Sequence, residues 1–526
     1  MIKKIIRILY TLSYLKTRQV VYQIYYRLKK IIVKNYTPFK KTDDLAFPKR
    51  KPIIVPYNSN SYLEVLSFEF LNLKKEFHQK IDWNFAEYGK LWNYNLQYLD
   101  YINQEKISIN EINYLLEDFT NAIKSGILVM EPYPVSLRLV NLVKYLMRTN
   151  QKDSKINQLI NHHSAFLSKN LEYHLLANHL LENTFSLIVS SIYLNDKELF
   201  KHSQKIVIKQ LDEQLLLDGG HYEQSPMYHC ILLIRLLDTI NIINSIEQNL
   251  FDNDFLDFLK IKASNMLGYL KAITFRNGDI PMVNDASPGI AFSTFTIFSY
   301  AEQLNIPIKN ISLSQSGYRK YANSKFEIFA DYGNILPSFQ PGHAHSDHFN
   351  IIVYTNSNPF IVDTGTSTYQ NNERRRIERS TFSHNTVSYQ NMNQSDIWGA
   401  FRVGKRAKIS NLKEAKYQIE ASHDGYKNIG ILHNRKIEYE SNIIVSDSII
   451  GNSNKSFLAF YHLHPDVIVL NVGNDFVSTN LGKLEFFNQT KWSIEEYKYA
   501  LGFNLLTTAK LIKVEFLNKL TTVISA

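Results

Sequence analysis

The hydrophobic residues of this 526-residue chain follow two different periodicities, and the change between them falls near residue 315. From about residue 60 to 305, apolar residues recur three and four positions apart, as in EINYLLEDFTNAI and PVSLRLVNLVKYLM, which is typical of amphipathic helices. After residue 315, short alternating runs such as HFNIIVYTNSNPFIVD are separated by Gly, Asn and Asp turns, which indicates strands. The sequence therefore predicts an α+β multidomain protein, with an N-terminal α/α toroid followed by a C-terminal antiparallel β-sandwich.

Three segments follow from these patterns. Residues 1–60 are predicted to be a basic amphipathic helical segment, residues 61–315 the toroid domain, and residues 316–526 the β-sandwich domain. A hydrophobic content of 44% is sufficient for buried cores in both large domains. The single cysteine, Cys230, excludes an intrachain disulfide and a cysteine-based zinc site.

The N-terminal segment, MIKKIIRILYTLSYLKTRQVVYQIYYRLKK, is basic and apolar like the start of a secretory signal. Arg7 and Lys16 interrupt its apolar stretch and no small-residue cleavage site follows, so no clear cleavable signal peptide is predicted. We favour packing of this amphipathic helix on the main domain, with weak contact to a membrane surface as the alternative. No run of about 18 uncharged apolar residues occurs, so no transmembrane segment is expected.

The formal net charge of +10 favours an anionic partner. No Lys/Arg arm, zinc finger or RNA-binding pattern is present, so nucleic acid is not expected to be that partner. An acidic polysaccharide or a membrane surface remains, beside the alternative that the lysine-rich composition has no functional meaning. The sequence gives no indication of the oligomeric state.

The stretch PGHAHSDHFN has the H-x-H-x-D-H spacing of the metallo-β-lactamase two-metal site. It follows a loop and runs into predicted strands rather than into a helix, so the context of that motif is missing. A one-metal site is a better interpretation, because His345, Asp363 and His384 lie near the ends of strands that can be neighbours. Two imidazoles and a carboxylate suit Zn²⁺. The alternative is that these three residues never meet.

Eight segments, in order from about residue 80 to 410, together resemble the heparinase II/III family of polysaccharide lyases, including the alginate-lyase-like proteins. They are LWNYNLQYLDYI, EPYPVSLRLVN, NHLLEN, DGGHYEQSPMYH, GHAHSDHFNIIVY, FIVDTGTSTY, RSTFSHNTV and IWGAFRVGKRA. The resemblance implies a toroid followed by a β-sandwich, and β-elimination of uronate-containing polysaccharides. It implies a periplasmic location, although a cytoplasmic one stays open without a clear signal peptide. A structural zinc or other divalent metal is expected, and no organic cofactor.

β-Elimination needs a base for the C5 proton, a group that stabilises the enolate on the carboxyl group, and an acid for the leaving O4. Asn178, His179 and Glu182 share one helical face and are candidates to neutralise the carboxylate, and the resemblance matches Asn178 and His179 to that role. The resemblance also makes Tyr228 the acid and a second candidate base, and His343 the general base. Because Tyr228 lies in the first turn of a predicted helix, we expect the helix dipole to lower its pKa.

The resemblance also divides the HAH histidines, with His345 directed to the metal together with Asp363 and His384. Candidates for binding the sugar chain are Arg138, Trp92, Tyr94, Asn95, His221, Glu223 and Arg379, with Arg402 a weaker one. The alternative for these residues is ordinary packing between helices.

Two other functions stay open at this stage. A glycoside hydrolase on a toroid scaffold needs two carboxylic acids flanking the bond, and Glu182 and Glu223 are candidates for that pair. A non-catalytic or processing protein in the biosynthesis of an acidic polysaccharide, such as a capsule or O-antigen, is the second alternative. The sequence does not identify the uronate polymer or its sulfation.

Overall fold

The computed structural model describes residues 2–32, 39, 45, 50–55, 60–246, 253–452 and 455–526. Within these residues a helical domain precedes an antiparallel β-domain, as predicted. The helices of the first part are α1 Ile2–Ser13, α2 Thr17–Ile32, α3 Lys90–Tyr98, α4 Ile109–Lys124, α5 Pro132–Thr149, α6 Ser154–Ser168, α7 Ala177–Tyr193, α8 Lys197–Gln214, α9 Pro226–Ser245, α10 Asn253–Ile273 and α11 Thr294–Gln303.

The helices of the toroid form an inner and an outer layer. Helices α5, α7 and α9 contact one another in series, and α6, α8 and α10 pack on their outside. The inner helices α7 and α9 are buried on nearly all faces. In α9 the sequence is apolar on most sides, whereas α7 also buries small and amide side chains. Among the described helices, α9 is the one with the length and mean hydropathy to cross a bilayer, and 89% of that window is buried inside the protein.

The helical prediction for the start of the toroid domain was wrong at one place. Residues 62–76 form a three-stranded antiparallel sheet of β1 Tyr62–Glu64, β2 Ser67–Phe70 and β3 Leu73–Glu76. Phe68 and Phe70 alternate with the exposed Glu69, which is the strand period of two. Their rings pack on Tyr101 and Trp92 of the helical core, so tertiary contacts stabilise strands that are short on their own.

The β-domain begins with a four-stranded antiparallel sheet next to the predicted boundary at residue 315. Its strands are β4 Tyr318–Ala322, β5 Phe326–Asp331, β6 Ile351–Thr355 and β7 Asn358–Ile361. The short helix α12, Glu373–Glu378, follows. The remaining strands are β8 Val387–Tyr389, β9 Ile397–Trp398, β10 Arg402–Val403, β11 Ile409–Ala415, β12 Gln418–His423, β13 Leu432–Tyr439, β14 Ile443–Ile450, β15 Phe457–His462, β16 Val469–Val472, β17 Phe476–Thr479, β18 Lys483–Gly502 and β19 Leu505–Ser525.

The larger sheet of this domain has the strand order β11-β12-β13-β14-β19-β18-β17-β16, and β15 pairs with both β19 and β8. Its inward-facing residues share one apolar core with those of the four-stranded sheet. Ile328 and Val353 from the small sheet and Val445, Ile512 and Val514 from the large sheet are all fully buried there. Two sheets that face each other across one core form a β-sandwich.

Candidate active site

The helical wall of the site begins at Asn178, at the start of α7. Leu176 and Ala177 have φ angles of 63° and 52°, so the chain turns sharply into the helix and presents Asn178 at its end. The Asn178 side-chain amide donates to both carboxylate oxygens of Glu223, at 3.1 and 2.8 Å. The amide nitrogen also lies 3.5 Å from Nε2 of His343. Asn178 therefore joins the helical wall to the β-domain.

Tyr228 lies in the first turn of α9, where the Ser225 side chain caps the helix and Pro226 occupies its first position. The Tyr228 ring lies 4.1 Å from the His343 ring, centroid to centroid. The expected lowering of the Tyr228 pKa was wrong: burial, together with Tyr369, raises the pKa of Tyr228 well above 10. Desolvation of a phenolate here outweighs the favourable helix dipole. Tyr228 therefore holds its proton in the substrate-free protein.

His343 lies on the PGHAH loop between β5 and β6, outside any strand. Its side chain is 12% exposed, whereas that of His345, two residues further on, is fully buried. The loop therefore presents His343 at the cleft surface and directs His345 into the interior. Nε2 of His343 lies 3.5 Å from the Asn178 amide nitrogen and 3.9 Å from a Glu223 oxygen.

One buried carboxylate, Asp285, holds both histidines of this loop, and the sequence analysis missed it. Its Oδ2 lies 2.9 Å from Nδ1 of His343, and its Oδ1 lies 2.9 Å from Nε2 of His345. Arg375 donates to the same two oxygens at 2.5 and 2.6 Å. Burial alone would raise the pKa of Asp285, but the Arg375 guanidinium and the histidine hydrogen bonds hold it well below 3.8. Asp285 is therefore an anion that fixes the His343 ring.

Tyr369 is a second residue that the sequence analysis missed. Its hydroxyl lies 3.2 Å from the Tyr228 hydroxyl. Its ring packs edge-on against Phe401 and Phe503, with centroid distances of 5.2 and 4.9 Å. Phe503 lies in the turn between the two longest strands, β18 and β19, so the tip of that hairpin supports the site.

His179 and Glu182, predicted beside Asn178, have different environments. His179 is partly exposed, and its Nδ1 lies 3.1 Å from Glu172. Burial alone would lower the pKa of His179, but Glu172 raises it above 6.5. Glu182 is fully buried and accepts from Arg235 at 2.8 Å. Of this pair, only His179 is therefore accessible to solvent.

Several residues predicted to bind sugar lie in the interior instead. Trp92 is fully buried and donates to the Leu73 carbonyl, while Arg138 is fully buried and donates to His163 and to the Gln97 carbonyl. Arg379 is fully buried and donates to main-chain oxygens of the surrounding loops, at Ala344, Gly399, Ala400 and Arg402. These assignments were wrong because a sequence does not distinguish large side chains that make internal hydrogen bonds from those that face the solvent.

The remaining predicted sugar contacts differ in burial: Tyr94 and Asn95 are half-buried, His221 and Glu223 are buried beside the site, and Arg402 is exposed. Tyr94 is half-buried and donates to Glu131, and the half-buried Asn95 amide donates to the Leu91 carbonyl. His221 is buried, and its Nε2 lies 2.8 Å from the Gln214 side-chain oxygen. Its Nδ1 lies 3.6 Å from a carboxylate oxygen of the neighbouring Glu223. Arg402 is exposed and lies 4.7 Å from the Trp398 ring.

The predicted metal ligands are close together but are not arranged around one point. Nδ1 of His384 lies 2.7 Å from Asp363, and the His345 and His384 ring centroids are 5.3 Å apart. In the part of the chain that the structure describes, no group of three His, Cys, Asp or Glu side chains is arranged to hold a metal ion. Nδ1 of His345 and Nε2 of His384 are nevertheless buried without a hydrogen-bond partner. The donor types fit Zn²⁺, and a metal there stays a prediction.

A helical toroid followed by a β-sandwich, with a polar cluster contributed by both, places this molecule in the toroid-plus-sandwich class of proteins. The family model described as Heparinase II/III N-terminus matches residues 135–304, and the one described as Heparinase II/III-like, C-terminal, matches residues 307–519. The chain belongs to the heparinase II/III family of polysaccharide lyases. No curated protein shows a significant sequence match to the chain.

Solved structures share the fold at low sequence identity. A heparinase III structure matches with a TM-score of 0.67 and 18% identity, covering 85% of this chain and 79% of that one. The heparan sulfate lyase HepC from Pedobacter heparinus matches with a TM-score of 0.55 and 15% identity, covering 88% and 81%. A further heparinase III matches with a TM-score of 0.57 and 14% identity, covering 85% and 81%.

Proposed function

We propose that this protein cleaves a uronate-containing acidic polysaccharide by β-elimination. The observation that carries the proposal is the convergence of Asn178, Tyr228 and His343. The His343 ring lies 4.1 Å from the Tyr228 ring, and its Nε2 lies 3.5 Å from the Asn178 amide nitrogen. These three side chains have the chemical properties of a carboxylate-binding donor, an acid and a base.

His343 is the proposed general base. Because the Asp285 carboxylate is an anion, it accepts the hydrogen on Nδ1 of His343 and leaves the lone pair on Nε2. Nε2 then takes the C5 proton of the uronate. A base fixed in this way contributes about 10²- to 10⁴-fold to the rate.

Asn178 and His179 are the proposed groups that bind the uronate carboxylate. The C5 proton becomes acidic enough only if the charge that develops on the carboxyl group is stabilised, and an amide donor and an imidazolium both do so. The raised pKa of His179 favours its charged form. Binding of the carboxylate exchanges the present contact of the Asn178 amide with Glu223 for one with the substrate.

Tyr228 is the proposed general acid. Its raised pKa keeps the proton on the hydroxyl until the O4–C4 bond breaks and the leaving oxygen becomes the stronger base. Tyr369, whose hydroxyl contacts that of Tyr228, orients it. The glycoside hydrolase alternative is less well supported, because Glu182 is fully buried and ion-paired with Arg235.

The test is ultraviolet absorbance during incubation with a panel of uronate polysaccharides, including heparan-like, alginate-like and hyaluronan-like polymers. β-Elimination forms a conjugated double bond that absorbs, and hydrolysis does not. We expect absorbance to rise with the wild type on at least one polymer and about 10²- to 10⁴-fold more slowly with Tyr228→Phe. New reducing ends without absorbance would identify a hydrolase, and neither signal on any polymer would favour the non-catalytic alternative.

We also propose that His345, Asp363 and His384 hold a divalent metal, with Zn²⁺ the best fit to two imidazoles and a carboxylate. The support is the pair of buried ring nitrogens without partners, on His345 and His384. A bound cation would fix the loop that carries His343 and take no part in proton transfer. Elemental analysis of the purified protein, with thermal unfolding before and after chelation, tests this. Absence of metal from the wild type, and a Tm that neither chelator nor added Zn²⁺ changes, would contradict it.

A further inference from the structure

The N-terminal hairpin, defined as α1, the short turn at residues 14–16 and α2, turns an apolar stripe of each helix to solvent. The large hydrophobic residues on this face are between 42% and 83% exposed, and they are Ile5, Ile6, Leu9, Tyr10, Leu12, Val20, Val21, Ile24, Tyr25, Leu28 and Ile31. Most follow the spacing of three and four that defines one helical stripe. A surface helix ordinarily turns such a stripe toward the core. In the N-terminal hairpin, the apolar stripes face the solvent instead.

The face of the hairpin that contacts the protein is polar and aromatic. Arg7 donates to Asp396 at 2.8 and 2.6 Å, and the Thr11 hydroxyl accepts from the Trp398 ring nitrogen at 3.1 Å. On α2, the Tyr22 ring lies 4.6 Å from the Tyr173 ring, and the Tyr26 hydroxyl donates to the Leu171 carbonyl. Since these contacts fix the orientation of both helices, the outward direction of the apolar stripes is a property of the fold.

The charge of the segment is entirely positive. Residues 1–42 contain eleven Lys and Arg residues and no Asp or Glu. Arg27 is exposed on α2 beside the apolar stripe. An amphipathic helix with an exposed apolar face and basic flanking residues is the combination that binds in the plane of an anionic bilayer surface. A second copy of this chain would bring two positive segments together, which is electrostatically unfavourable.

We propose that the outward face of the α1–α2 hairpin docks on an anionic lipid bilayer. The apolar stripe enters the boundary between headgroups and acyl chains. The exposed Arg27 contacts the lipid phosphates, while Arg7 and Lys16 stay paired with Asp396 and Glu213. The protein then lies on the membrane rather than across it. This inference concerns a surface that contains none of the residues of the candidate active site, so it stands or fails independently of the lyase proposal.

The experiment is co-sedimentation of the full-length protein with vesicles. One set contains equal parts of phosphatidylglycerol and phosphatidylcholine, and the other contains phosphatidylcholine alone. We expect binding to the anionic vesicles that weakens as salt is raised, and at least about tenfold weaker binding to the zwitterionic ones. The triple variant Leu9→Ser/Ile24→Ser/Leu28→Ser is expected to bind the anionic vesicles at least about tenfold more weakly. Arg27→Ala is expected to weaken binding about fivefold.

A matched control carries the same type of substitution elsewhere on the surface, as Ile127→Ser/Val129→Ser/Leu470→Ser. These residues are 62%, 65% and 65% exposed, compared with 60%, 55% and 51% for Leu9, Ile24 and Leu28. The control should bind vesicles as the wild type does, and both triple variants should keep the wild-type Tm. Equal vesicle binding by the hairpin variant and the wild type would overturn the proposal. The proposal would also be overturned if the wild type were a dimer that does not bind vesicles and the hairpin variant were a monomer. A second copy of the chain would then cover this face.

Discussion

The two walls of the candidate site hold their functional groups in different ways. On the helical wall, Asn178 and Tyr228 lie at the N-terminal ends of α7 and α9, and the helices themselves fix the direction of each side chain. On the β wall, His343 lies on a loop, and it is held by Asp285, which lies in the toroid loop between α10 and α11, and by the Arg375 partner of that carboxylate. A loop lacks the regular backbone hydrogen bonds of a helix, so charge-assisted hydrogen bonds between side chains must fix the position of His343. The position of His343 should therefore be more sensitive to the loss of a single charge than the positions of Asn178 and Tyr228.

The largest expected effect is that of Asp285→Ala, because it removes the carboxylate that holds Arg375 and both loop histidines. A buried guanidinium left without its partner costs about 3–5 kcal/mol of the free energy of unfolding. We expect a loss of that size in urea denaturation, together with loss of activity. The control is Asp396→Ala, which breaks the partly exposed pair with Arg7 and should cost less than about 1 kcal/mol. Similar losses in the two variants would contradict the special role of the Asp285 network.

The next largest effect is expected on kcat, with little change in the free energy of unfolding, for one catalytic residue on each wall. Tyr228→Phe and His343→Gln are each expected to lower kcat about 10²- to 10⁴-fold, since each removes a proton-transfer group. Neither substitution removes a buried charge partner as Asp285→Ala does, so we expect the free energy of unfolding to change by less than about 1.5 kcal/mol in both. Parallel kinetics and denaturation curves provide the measurement. A stability loss with His343→Gln as large as that with Asp285→Ala would place His343 among the structural groups.

A smaller effect is expected from Tyr369→Phe, which removes a hydroxyl but keeps the ring between Phe401 and Phe503. One neutral hydrogen bond contributes about 0.5–1.5 kcal/mol, so kcat should fall about two- to tenfold with KM nearly unchanged. The double variant Tyr228→Phe/Tyr369→Phe should be no slower than Tyr228→Phe alone, because Tyr369 is proposed to act through Tyr228. A further loss in the double variant would instead give Tyr369 an independent role.

The smallest effect concerns the pH dependence of His179 on the helical wall. Glu172 raises the pKa of His179 in the folded state above its unfolded value of about 6.5. The pair therefore makes its full contribution to stability below pH 6.5 and loses that contribution as the pH rises through the folded-state pKa. The difference in free energy of unfolding between wild type and His179→Gln, below about 1 kcal/mol, should therefore be largest below pH 6.5 and shrink as the pH rises above it. A difference that grows with pH would contradict this sign.

Much of the fold was predictable because the two halves of the chain use different periods. Apolar residues recur three and four positions apart in the helical half and alternate in the β-domain strands, so each type was recognised before any contact was known. The sheet at residues 62–76 was missed because its alternation is short and is stabilised by contacts with Tyr101 and Trp92, which a local pattern does not contain.

Asn178, Tyr228 and His343 were predictable from the sequence, but the network that holds His343 was not. Asn178 and Tyr228 lie in segments with helix start signals and a recognisable family pattern, whereas Asp285 lies in the loop VNDASPG, which has no periodicity. Its partner Arg375 is 90 positions further along the chain, so nothing local joins the two. Sequence reasoning failed most clearly where long-range charge pairing determines geometry.

The α1–α2 hairpin has a mechanical consequence. Its contacts reach Asp396 and Trp398 in the β-domain and Tyr173 and Leu171 in the toroid, so it bridges the two domains. Domains joined in one chain ordinarily rotate against each other. Here such a rotation would break the contacts of the hairpin with one of the two domains. The hairpin should therefore restrict the rotation of the two domains relative to each other.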